Sequence, residues 1–171
     1  MTESFFAAFP LIAGMSAVIA AWLFLRSVAR ARAKRRQFEQ AEPIIIDGSN
    51  IMHWNGGEPR LETVKAVVDR LTEDGFAPGV VFDANAGYLL SGKYQHDGSL
   101  SRWLGLPEKN VMVVPKGTPA DPMILQAARD MDARVVTNDR YRDWVGQFPE
   151  IRRKGFLIRG SFASGELDLK L

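Results

Sequence analysis

Two short runs of β-branched residues break off abruptly into small polar and acidic ones: Ile44-Ile45-Ile46-Asp47-Gly48-Ser49-Asn50 and Val135-Val136-Thr137-Asn138-Asp139. A run of that kind reads as a strand buried on both faces, as in a parallel sheet. Acids just beyond the carboxyl ends of such strands lie where open α/β sheets place their ligands. Side by side, the two strands would bring Asp47, Asp139 and the nearby Asp143 to one spot. Carboxylates so gathered repel, by about 4 kcal/mol for a pair ~4 Å apart at an effective dielectric near 20. A divalent cation is the usual compensation, and an oxygen-only set points to Mg²⁺ or Mn²⁺.

The intervening pattern extends the sheet. Arg60 to Glu73 carries Leu61, Val64, Val68 and Leu71 at helical spacing, and Gly79 to Asp83 reads as a second strand. A short helix over 99–104, a third strand over 110–114, a helix over 121–131, a fourth strand over 134–137, a helical turn or two over 140–148 and a last strand over 155–162 complete the series. Alternating strands and helices imply a doubly wound parallel sheet, an α/β fold of three layers, α/β/α, with right-handed crossovers. The loop from Ala84 to Ser99 is long for a crossover, and loops of that size are often functional.

Ahead of this domain, Phe5 to Leu25 is 21 residues without a charge. At about 1.5 Å per residue such a helix spans about 30 Å, a hydrocarbon core. Only Glu3 is charged before it, whereas Arg26, Arg30, Arg32, Lys34, Arg35 and Arg36 follow at once. The positive-inside rule then sets the N-terminus outside and the remainder in the cytoplasm, making a single-pass protein of the cell membrane in contact with the lipid bilayer. A cleaved signal peptide is the rival reading; it would need a basic leading region and a shorter apolar core. The expected organisation is a transmembrane anchor over 1–26, a basic juxtamembrane linker over 27–42 and a catalytic domain over 43–171. Apart from the six basic residues and Glu3, 16 Lys/Arg stand against 19 Asp/Glu. The pI near 9 therefore belongs to the linker, and the domain has no broad basic face for nucleic acid. With no cysteine and two histidines, thiolate zinc sites, disulfides and cysteine nucleophiles are excluded.

Each candidate residue has a plainer role beside the chemical one. Asp47 before Gly-Ser-Asn suits a structural Asx-turn, and Asn50 a cap or a phosphate contact. Asp121, in Thr118-Pro119-Ala120-Asp121-Pro122, suits an N-cap that also faces the strand ends. Asp139 and Asp143, four apart, share a face if their segment is helical. Asp83 ends a strand off the centre of the sheet. Thr137 and Ser49 would orient the carboxylates from behind. Lys93, Lys116, Arg140 and Arg142 are candidate phosphate contacts. Trp54, Tyr94 and Trp103 offer stacking surfaces, and His53 is a loop histidine within reach of substrate.

The sequence DGSN after the first strand, Asp121 eighteen residues before Asp139, and TNDRYRD together resemble the NYN-domain ribonucleases of the Regnase type, within the PIN-like nuclease superfamily. The similarity runs from Pro43 to the C-terminus and includes the final GFLIRGSFASGELDL. It implies a sheet ordered 3-2-1-4-5 and a Mg²⁺-dependent endoribonuclease that cleaves single-stranded RNA by attack of metal-activated water on the phosphodiester. On this resemblance Asp47, Asp121, Asp139 and Asp143 are metal-site acids, with Asn50 among the catalytic residues. Where the family has paired aspartates at a helix start, this chain has Ala120-Asp121, and the family's zinc-finger element is absent. Ala120 keeps open the reading of a catalytically silent RNA- or protein-binding domain at the membrane, and a second rival is a related metal-dependent nuclease or phosphoesterase on the same sheet, acting on DNA or nucleotides.

Overall fold

In the computed structural model, residues 4–163 and 165–171 are described, without the side chains of 4–18, 34, 35, 39 and 163. The chain divides into two compact units, Met1–Gln40 and Ala41–Leu171. The first is a single helix, α1 (Ser4–Gln40), in which the uncharged stretch continues without a break into the basic one. Arg26 lies over the Trp22 ring at 4.9 Å. Among the described residues no helix is long and apolar enough to cross a membrane. Most of the expected span, residues 5–18, has side chains outside the described residues, whereas those of residues 19–25 are described.

The second unit is built on five parallel strands: β1 (Glu42–Asp47), β2 (Phe76–Phe82), β3 (Val111–Val113), β4 (Arg134–Val136) and β5 (Leu157–Ile158), in the order β3-β2-β1-β4-β5. The order matches the expectation from the resemblance. The chain winds outward from β1 in one direction and restarts at β4 on its other side, so the boundary between them is the switch point. Ile44, Ile45 and Ile46 are nearly inaccessible because each face of β1 is covered. On one side Ile44, Ile46 and Phe82 pack with Val64, Val67 and Leu71 of α3 (Leu61–Glu73) and Leu100 and Leu104 of α5 (Asp97–Leu104). On the other, Ile45, Val81 and Val135 pack with Ile124, Leu125 and Ala128 of α6 (Ala120–Asp130). Two further helices are short: α2 (Gly48–Ile51), directly after β1, and α4 (Ala86–Ser91), inside the long loop after β2.

Two elements differ from the sequence reading. The expected last strand breaks at Arg159: Leu157–Ile158 stays in the main sheet, and β6 (Gly160–Ala163) pairs antiparallel with β7 (Glu166–Leu169). The 140–148 segment is not an α-helix. Tyr141 adopts a left-handed conformation, φ 46°, which stops a helix before it starts, and only one 3-10 turn, Arg142–Trp144, follows.

Candidate active site

The switch point fixes the centre of the site. Because Ile46 lies beside Val136 in register, the next residues, Asp47 and Thr137, emerge together from neighbouring strands. Asp47 is 6 % exposed and its carboxyl group is held by three donors. The Asn50 N–H reaches Oδ1 at 3.1 Å, while Thr137 Oγ1 and the Tyr141 hydroxyl both donate to Oδ2 at 2.9 Å. Asp47 is thus the N-cap of α2, a local role in place of the expected Asx-turn, and Asn50, the expected cap, lies inside that helix; the two hydroxyls do more than a cap needs. Burial pushes its pKa up to about 6, against the lowering effect of the three donors and with the charge of Asp121 adding to the rise.

Asp121 lies in the first turn of α6 but is not its N-cap. The cap position is Pro119, and no side chain fills that role. The Asp121 Oδ2 instead accepts the indole N–H of Trp144 at 3.1 Å. Burial raises its pKa, and the charges of Asp139, Asp83 and Asp143 raise it further against the Trp144 hydrogen bond. The carboxylates thus feel one another across the ends of four elements, including Asp83, which follows a strand directly adjacent to β1. Ala120, the first residue of α6 and the neighbour of Asp121, is buried in the core.

Asp139 sits in an Asx-turn, with the Tyr141 N–H on Oδ1 at 2.8 Å and its own N–H on Thr137 Oγ1 at 2.9 Å. Thr137 is fully buried and joins Asp47 to this turn. Asp143 lies in the 3-10 turn, so its place near Asp139 comes from the turn and not from helical i, i+4 spacing. Asn50 is oriented from two sides: its Oδ1 accepts from Trp54 Nε1 at 2.8 Å and from the Asn138 N–H at 2.9 Å. Its Nδ2 makes no hydrogen bond among the described residues. An open cleft is lined by Asn50, Asn138, Asp139, Arg140, Arg142 and Asp143.

Some expected residues lie elsewhere. Ser49 is not among the hydrogen-bond partners of Asp47 in the described residues; its Oγ accepts the Asp83 N–H at 2.7 Å and ties the end of β2 to α2. Lys116 lines a second cleft with Ser49, Asp83 and Thr118 at the same edge of the sheet. Lys93 lines neither cleft and stands on the connection between α4 and α5. Tyr94 and Trp103 are exposed, and Trp103 borders a separate hollow beside Leu61 and Leu90. His53 bonds the Gly57 carbonyl within its own loop. Sequence reasoning misses Tyr141, Trp144 and Arg159. The Arg159 Nη1 donates to the carbonyls of Thr137 and Asp139, at 3.2 and 2.7 Å, and braces the loop that carries the acids. Tyr141 lies within TNDRYRD, but only the tertiary structure shows its hydroxyl on Asp47, as it alone brings Trp144 to Asp121 and Arg159 to the acid-bearing loop.

The donor set is all oxygen, with two carboxyl groups whose proton affinity is raised by burial and by like charge. That chemistry suits a hard divalent ion. Among the described residues, however, no group of three His, Cys, Asp or Glu side chains is placed to hold a metal ion. The residues fit an open site, in which one or two carboxylates and water surround the ion, rather than a closed protein cage.

The sequence pattern of the Zc3h12a-like Ribonuclease NYN domain matches residues 40–162. The chain belongs to that family. No curated protein matches the sequence. Among solved structures, Arabidopsis thaliana nuclear protein-only RNase P 2 (PRORP2) is similar with a TM-score of 0.58 and 21% identity, covering 86% of this chain and 34% of that one. A crystal structure of nuclear proteinaceous RNase P 2 (PRORP2) from A. thaliana gives a TM-score of 0.59 and 20% identity, covering 90% and 36%. At that identity the likeness concerns the fold alone. The NYN chain spans about a third of the length of these relatives.

Proposed function

We propose that this NYN domain is a Mg²⁺-dependent endoribonuclease acting on single-stranded RNA, with Mn²⁺ as a workable substitute. The observation that carries the reading is Asp47, a carboxyl group buried at the switch point, braced by Thr137 and Tyr141, and electrostatically coupled to Asp121. Asp47, Asp121, Asp139 and Asp143 are the residues that would hold the ion, directly or through water. When bound, the ion supplies charge stabilisation at a phosphoryl oxygen and an activated water. The protein's own part is to position. Asn50, its amide fixed through Oδ1, presents Nδ2 as a donor to a phosphate oxygen. Arg140 and Arg142 flank the same cleft and Lys116 the neighbouring one, three cations along a path for a backbone. Neither of these two clefts is lined by an aromatic side chain, so base recognition is weak and sequence preference slight.

The membrane anchor is part of the proposal. The uncharged stretch Phe5 to Leu25 followed by the basic one supports a single-pass protein with its N-terminus outside and its nuclease domain in the cytoplasm. The basic turns would rest on anionic headgroups.

Incubating the full chain with labelled single-stranded RNA and Mg²⁺ tests the activity. Cleavage lost on adding EDTA and in Asp47→Asn is the expected result. RNA binding without cleavage would favour a silent binding domain, a reading that Ala120 in place of an acid supports. Parallel DNA and mononucleotide substrates separate a ribonuclease from a broader phosphoesterase.

A further inference from the structure

Two tyrosines stand side by side in solvent, outside both clefts. Tyr88, in α4, and Tyr94, on the connection from α4 to α5, are 55 % and 54 % exposed. Their ring centroids lie 6.5 Å apart with the planes tilted by 54°. One exposed ring needs no explanation, but two held together make a patch, and patches mark binding surfaces. The segment beneath them is braced. Gly87 of α4 packs so closely that a Cβ there would run into the backbone of Gln95. Gln95 is buried and its Nε2 donates to Ser91 Oγ at 2.9 Å, while that hydroxyl donates to the Gly87 carbonyl at 2.9 Å. Gly92 ends α4 in the left-handed conformation, φ 71°, that turns the chain back. The residues beside Tyr88 and Tyr94 are thus locked to each other, and the two rings are set in place in advance.

We propose that Tyr88 and Tyr94 form a stacking step for a base of single-stranded RNA, continuing the substrate path beyond the two clefts. The inference rests on the ribonuclease reading given above. Two observations favour a nucleic acid over a protein or a lipid surface. Leu89, next to Tyr88 in α4, lines the cleft that holds Lys116, so the pair adjoins the path already drawn for the backbone. Between Asp83 and Asp97 the chain carries Lys93 and His96 and no acid, in a domain where acids outnumber Lys and Arg. A polyanion therefore meets a cation beside the rings and no local repulsion. The tilt of the pair excludes a parallel sandwich around a base; it suits a base laid on one ring face with the other ring at its edge. Every base has a π-face, so such a step adds affinity without reading sequence.

The test is binding of fluorescein-labelled single-stranded RNA to the full chain in mild detergent and EDTA, followed by fluorescence anisotropy at fixed salt, beside an abasic strand of the same length. Wild type should bind the RNA about tenfold more tightly than the abasic strand. Tyr88→Ala and Tyr94→Ala should each lose most of that margin by weakening the RNA alone. Tyr88→Phe and Tyr94→Phe keep the ring and should keep the margin. Equal affinity of wild type for both strands, or alanine variants with the margin intact, overturns the inference. So does a loss in the phenylalanine variants as large as in the alanine ones, which would assign the effect to the hydroxyls. In each of those cases Mg²⁺-dependent cleavage of the same RNA by wild type leaves the ribonuclease reading standing, whereas wild type that neither binds nor cleaves RNA removes both. Light scattering and sedimentation with anionic vesicles accompany each variant. Alanine variants that change the oligomeric mass or the vesicle binding, yet spare the RNA margin, would make the pair a protein or lipid contact and overturn the inference. Thermal melts check folding, and if one alanine variant fails to fold, the other decides.

Discussion

Asp47 concentrates the conflict between folding and function in one side chain. With a pKa pushed up to about 6 by burial, its neutral form is the one the folded chain prefers. Between the unfolded value near 3.8 and 6, the native state binds the proton more tightly than the unfolded state does, so stability falls as pH rises through that window. Above it the full penalty applies, on the order of 3 kcal/mol for a shift of about two units. Asp47→Asn removes the ionisation. Its amide can still be matched, with Oδ1 accepting the Asn50 N–H while the Thr137 and Tyr141 hydroxyls rotate to accept from the new NH₂. Melts in EDTA should therefore show Asp47→Asn at least as stable as wild type at pH 7.5, with the advantage shrinking by pH 4.5. A lower melting temperature at pH 7.5 would mean that the carboxylate serves chiefly as the cap of α2. The Tyr141 phenol, its pKa raised by burial and by Asp47, stays protonated throughout and remains a donor.

At the scale of elements, the site depends on how closely the strand ends approach. Gly48, the first residue after Asp47, lies against the Phe82 ring, and a Cβ there would come within 2.5 Å of the ring. Gly48→Ala must displace Phe82 from the core or lift α2 off β2, at about 1–3 kcal/mol. A melting temperature several degrees lower is expected, with Gly146→Ala, where no heavy atom lies within 4 Å, as the near-neutral comparison. Equal melting temperatures would show that α2 is free to shift. Elements of this kind are legible where the signal is local. Ile44–Ile46 and Val135–Val136 suit only buried strands, and the acids beyond them follow from strand polarity. The helix expected over 140–148 fails because the Asx-turn at Asp139 and the long-range hydrogen bond from the Tyr141 hydroxyl to Asp47 outweigh helical propensity. The last strand reads as one piece because GFLIRGSF is apolar on both sides of Arg159, whose two carbonyl contacts turn the chain out of the sheet. Asp121 reads as a cap because its actual partner, Trp144, is distant in sequence.

For the whole molecule, the chain separates into two compact units, Met1–Gln40 and Ala41–Leu171, and the proposed function gives anchoring to the first and cleavage to the second. Among the described residues both apolar clusters of the second unit are formed entirely by residues after 41. Removing residues 1–40 should leave the melting temperature and the rate of RNA cleavage in solution unchanged, and should move the protein from the membrane fraction to the supernatant. Loss of cleavage on truncation would instead make α1 part of the catalytic apparatus, for instance as an RNA-collecting arm supplied by its basic turns. Orientation can be read on the same chain because it contains no cysteine. Ser4→Cys should react with a membrane-impermeant thiol reagent on intact cells, and Gln40→Cys should react only after lysis. The charge asymmetry is the ground for that expected order: six basic residues would have to cross the bilayer for the domain to face outward, against one acid in the opposite sense. Labelling of Gln40→Cys alone on intact cells would reverse the topology and separate the domain from cytoplasmic RNA. Labelling of neither would place both ends of α1 inside and remove the anchor.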